Sequence, residues 1–261
     1  MMWYRAWLET RPRMLWCLTM FLPLLVTQMI TGPDFVRALA ANPAKAANRI
    51  YTLAGIAIPP GAPGYADALW TNFYLLMAAL ICLCFSVMLT GSGVCTQSAT
   101  GMRQGSHASI YFTLSLPVKR RDWVLVRAIG GMVELAVLVL GTLIVPLASS
   151  PITHIASNVA LLATVFPFFL AGSIAVYSMS VLLSIFLDEL WQGMVSLLLL
   201  AVLIGFEFTS KAWINVNLLR IMCGGDYTST GNLPWGGFAA CLAATVIFLA
   251  AAVYSAERKE Y

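Results

Sequence analysis

Long apolar runs recur along this chain, separated by short polar or Pro/Gly-rich stretches. A helix needs about 20 mostly apolar residues, at 1.5 Å each, to cross about 30 Å of hydrocarbon. Six runs come near or reach that length: Arg13 to Ile30, Trp70 to Leu89, Trp123 to Leu147, Ala160 to Leu187, Leu190 to Phe208 and Trp235 to Tyr254. A lipid-exposed backbone must satisfy its own hydrogen bonds, so the pattern predicts an all-α integral membrane protein with six transmembrane helices. The first run is the shortest and carries Pro23 and Gln28, while the fourth is long enough to tilt or to break near Pro167.

Composition strengthens this picture. Of 261 residues, 60% are hydrophobic and only 10% charged, with a mean hydropathy of +0.84, which excludes an ordinary soluble domain. Residues 1–261 are therefore expected to form one transmembrane domain in the inner (cytoplasmic) membrane. The opening segment MMWYRAWLETRPR lacks a cleavable signal pattern, so the first apolar run is expected to be retained. It sets Met2, Trp3, Trp7 and Leu8 among Arg5, Glu9 and Arg11, which predicts an amphipathic helix over 1–13 lying in the membrane interface. An aromatic and basic anchor for span one is the alternative.

Charge orients the spans. Arg5, Arg11, Arg13, Arg103, Lys119, Arg120, Arg121, Arg127, Arg258 and Lys259 fall on one side; Arg37, Lys45, Arg49, Lys211 and Arg220 fall on the other. This bias puts both termini in the cytoplasm by the positive-inside rule. Of the six cysteines only Cys223 lies clearly outside, so no structural disulfide is expected there. Cys82 and Cys84 point to different sides of one helix, and most of the cysteines read as small buried hydrophobes.

Three segments outside the spans remain. Residues 31–69 hold a possible helix around Asp34 to Ile56 and then the irregular stretch PPGAPGY. Residues 209–234 contain an apolar stretch too short to span, broken by Cys223-Gly224-Gly225-Asp226, which fits an interfacial or re-entrant hairpin. Residues 96–121 begin polar, turn apolar at Ile110 to Leu116, and end in Pro117 and the basic run Lys119-Arg120-Arg121. A short helix stopped by Pro117 would lie at the cytoplasmic face with an apolar side for a partner.

The order Gly105-Ser106, then Leu114-Ser115-Leu116-Pro117-Val118-Lys119-Arg120-Arg121-Asp122, then Arg127 inside the next span resembles the cytoplasmic loop of ATP-binding-cassette (ABC) transporter permeases of the type-2 exporter family. Gln104 stands where family members often carry an acid, and Lys119 where a Ser is common. The resemblance implies a coupling helix between spans two and three, with Gly105, Ile110, Phe112, Leu114, Leu116, Pro117, Lys119, Arg120 and Arg121 as its ATPase-coupling residues. It also implies a second permease subunit, identical or homologous, above two copies of an ABC ATPase that bind the ATP and Mg. The outer residues 209–234 would roof the substrate path. Beyond these, membrane lipid is the expected surrounding, and no nucleic-acid partner is expected.

The chain has no G-x-x-x-x-G-K-[ST] motif, so the energy for transport must come from elsewhere. Glu134 in span three and Glu207 near the outer end of span five are intramembrane carboxylates, rare enough to be functional candidates. Glu134 shares a helix face with Arg127 seven residues earlier, which permits an internal or interhelical pair. His107 and His154 fall on opposite sides, leaving no catalytic constellation, no metal site and no cofactor in this chain. A permease moving a lipidic or amphipathic substrate is the leading expectation. The alternatives are a proton-coupled secondary transporter using Glu134, and a structural scaffold.

Overall fold

The computed structural model describes residues 2–40, 65–90, 120–153, 159–187, 189–209, 217–224, 227 and 231–258. These residues are almost entirely helical: α1 (Met2–Ala40), α2 (Tyr65–Thr90), α3 (Arg120–Thr153), α4 (Val159–Phe186), α5 (Glu189–Thr209), α6 (Leu218–Met222) and α7 (Trp235–Arg258). Five segments are long and apolar enough to cross a membrane: Thr10–Gly32, Trp70–Thr90, Val124–Ala148, Ala160–Phe186 and Trp235–Arg258. These bounds follow five of the expected spans within a few residues. The expected fifth span falls on α5, whose described apolar stretch, Trp191–Val202, is shorter than a span.

Each helix buries the face its sequence supplies. On α1 the buried positions Cys17, Phe21, Leu25, Gln28 and Met29 repeat every three or four residues, while Leu15, Trp16, Met20, Val26 and Ile30 are exposed. The helix α4 is apolar all round and takes the centre, packing against α2, α3, α5, α6 and α7. Its buried small residues Ala171, Ser173, Ala175, Ser178 and Ser180 let neighbouring backbones approach, the usual device where lipid is as apolar as the protein interior.

Two local expectations meet a different geometry. The first helix is continuous from Met2 through Pro12 to Ala40, so residues 2–13 do not form a separate helix. Instead they run along α3, because α1 and α3 are parallel: Thr10 lies beside Glu134, and Phe21 beside Gly141. Nor does α4 break at Pro167. The proline ring faces outward, and a membrane helix tolerates the lost hydrogen bond. The described part of the Asp34 to Ile56 helix, up to Ala40, belongs to α1, and its remainder lies outside the described residues.

The start of α1 and the end of α7 share one end of the bundle. Gly32 of α1 meets Trp70 of α2, so these helices are antiparallel. Thr90, at the far end of α2, bonds Ser180 of α4 and Gln192 of α5. At the opposite end, α6 packs on α4 and Phe168 of α4 stacks edge-on against Trp235 of α7, with ring centroids 5.5 Å apart. Thus α1 begins, and α7 ends, at the end where α2 stops and α5 starts.

Candidate functional site

Only one described acid is buried inside the bundle. Glu134 is 5% exposed on α3. It lies about 15 Å along the helix from Val124, where the apolar segment of α3 starts. The Thr10 hydroxyl of α1 donates a hydrogen bond to Glu134 Oε1. Thr10 and Glu134 stand at the inner side of a groove of about 300 Å³ between α1 and α3. Arg127 lines the same groove, with Val126, Gly130, Val133 and Val137 spaced every three or four residues along α3 and Trp7 and Met14 contributed by α1.

Glycine shapes this groove. A Cβ added at Gly130 would meet nothing within 4 Å, so the missing side chain leaves open space. At the next residue, Gly131, a Cβ would overlap the Tyr177 hydroxyl of α4. One face of α3 therefore stays open to α1 while the adjoining face closes on α4.

Two further polar clusters tie the helices together. The Gln192 amide of α5 donates to Thr90 Oγ1 of α2 at 2.7 Å and to Ser180 Oγ of α4 at 2.6 Å. The Ser180 and Thr90 hydroxyls lie 2.8 Å apart, and Ser196 Oγ is 3.1 Å from Ser180. All four residues are buried. The second cluster joins the first three helices: Gln28 donates to the Tyr74 carbonyl at 3.2 Å, and the Tyr74 hydroxyl donates to the Thr142 carbonyl at 2.7 Å.

Among the expected site residues, Arg127 and Glu134 share the groove, as their seven-residue spacing requires. Arg120 opens α3, and Arg121 is exposed in its first turn beside Asp122. Gly105, Ile110, Phe112, Leu114, Leu116, Pro117 and Lys119 lie outside the described residues, and α5 carries Glu207 with no described side chain. Cys223, expected in an outer segment, is buried at the C-terminal cap of α6, whereas Cys82 is buried and Cys84 exposed on opposite faces of α2. Among the described residues no three His, Cys, Asp or Glu side chains gather as metal ligands. Sequence reasoning missed Thr10 and the Thr90–Ser180–Gln192 cluster, whose members come from different helices and carry no charge to mark them. Comparison with protein-family models, curated proteins and solved structures gives no match.

Proposed function

We propose that this chain is the membrane-spanning permease subunit of an ABC exporter, moving a lipidic or amphipathic substrate with energy from a separate ATPase. The observation that carries this reading is the loop sequence LSLPVKRRD between the second and third membrane helices, with α3 starting at Arg120 inside that motif. Six crossings with cytoplasmic termini belong to the same reading. Their support is that α5 starts beside Thr90 at one end of the bundle while α6 lies at the other, so the chain between them traverses its length. Two permease copies, or this chain and a homologue, would sit on two ATPase subunits whose closure is transmitted through residues 96–121.

The test replaces Phe112 and Leu116 together by Asp. Docking energy at such interfaces concentrates in a few buried apolar side chains, each costing more than about 2 kcal/mol when truncated. The double variant is expected to insert normally yet lose co-purification of the ATPase, or to retain it with hydrolysis uncoupled from export. Normal ATPase binding and export in that variant would remove the coupling role. A second reading, a proton-coupled secondary transporter, is favoured by the burial of Glu134 inside the bundle. Export in vesicles driven by a pH gradient without nucleotide would establish it instead.

A further inference from the structure

A second groove, of about 390 Å³, runs between α1 and α2. Its α2 wall is Phe73, Met77 and Ile81, one residue per turn over about 12 Å. Its α1 wall is Gln28, Thr31 and Gly32. The apolar segment of α1 ends at Gly32 and that of α2 begins at Trp70, so the groove starts near the limit of the hydrocarbon and runs inward.

Gln28 is 9% exposed, and its Oε1 has no hydrogen-bond partner among the described residues. The amide orientation is fixed, because the Tyr74 carbonyl only accepts and therefore holds the nitrogen, at 3.2 Å. Oε1 diverges from that bond and is left as a buried acceptor in a medium that supplies no water. Thr31 adds no donor, since its hydroxyl proton goes to the Thr27 carbonyl at 2.9 Å. None of the six lining residues is charged.

We infer that this groove binds a neutral long-chain alcohol, its hydroxyl donating to Gln28 Oε1 and its chain lying along Met77 and Ile81. The oxygen is covered by the groove wall, and the terminal torsion of glutamine is soft enough to swing it toward an arriving hydroxyl. An ether or ester brings acceptors only and would leave Oε1 unsatisfied. An ionised head would enter a lining without a counter-charge. Occupancy requires neither nucleotide nor a second chain, so the site goes beyond the transport reading and is tested apart from it.

The test is photolabelling of the full chain, in phosphatidylcholine vesicles without any ATPase, by the diazirine alcohol 7-azioctanol. Labelling is expected to saturate and to map by mass spectrometry to the Phe73–Ile81 stretch. At equal membrane concentrations octanol should compete about tenfold more strongly than octyl methyl ether, a difference of about 1.4 kcal/mol. Gln28→Leu should abolish that preference, and Ile81→Trp, which places a larger side chain in the groove, should abolish the labelling. Equal competition by octanol and the ether in the unmodified protein overturns the inference, as does labelling that survives in folded Ile81→Trp. Both of these outcomes are read even if Gln28→Leu fails to fold; an octanol preference retained in folded Gln28→Leu also overturns it.

Discussion

Glycine and glutamine do the closest fitting in this bundle. A Cβ at Gly131 would overlap the Tyr177 hydroxyl, and one at Gly172 would overlap Met222, so both positions hold helices at short range. Gly131→Leu is expected to destabilise the protein by about 1–3 kcal/mol through overpacking, seen as a lower melting temperature in detergent, whereas Gly130→Leu should leave it nearly unchanged. The Gln192 amide uses both N–H donors within the bundle, on Thr90 and Ser180. Interhelical hydrogen bonds in membranes average about 0.6 kcal/mol, with a maximum near 1.7. A double-mutant cycle between Gln192→Leu and Thr90→Val should therefore give a coupling energy of about 0.5–1.7 kcal/mol in unfolding experiments. A coupling near zero would mean that this contact contributes no stability.

At the scale of elements, the short helix α6 depends on its caps. Asn217 accepts a hydrogen bond from the Arg220 N–H at 2.9 Å, and Cys223 N–H returns to the Leu219 carbonyl at 2.8 Å. Gly224 then turns the chain at φ 83°, where a side chain would be strained and would also meet Val165. This closure accompanies the burial of Cys223, which follows the apolar Ile221-Met222 and precedes Gly224-Gly225-Asp226. In a variant whose only cysteine is Cys223, a bulky membrane-impermeant maleimide should react slowly with the native protein and fully after unfolding. Asn217→Ala, costing about 1 kcal/mol of cap, should raise the native reaction rate about fivefold. An equal rate in both variants would show that α6 opening does not control access.

On the scale of the whole molecule, the antiparallel α1 and α2, the α4–α7 contact at one end and the Thr90 cluster at the other bring the start of α1 and the end of α7 to the same end of the bundle. The positive-inside count assigns that end to the cytoplasm in the transport reading. Green fluorescent protein fused after Tyr261 should then fluoresce, and alkaline phosphatase at the same position should be inactive. Phosphatase inserted between Gly231 and Leu233, at the opposite end, should be active. The reverse pattern would invert the orientation while leaving the bundle intact.

Membrane-spanning length and apolarity were legible in the chain itself, because crossing about 30 Å of hydrocarbon imposes a run length that needs no knowledge of neighbours. The helix positions of Trp70–Thr90 and Val124–Ala148 follow from that requirement alone. So does the shared face of Arg127 and Glu134, which the 3.6-residue period dictates. What stands across from that face was decided only by tertiary packing. The parallel alignment of α1 with α3 sets Thr10 on Glu134 and draws residues 2–13 into a continuous helix, where their aromatic and charged pattern reads as an interfacial one. The Thr90–Ser180–Gln192 cluster was likewise invisible in sequence: hydroxyls and amides at three distant positions acquire meaning when buried polar groups must find partners in a medium without water.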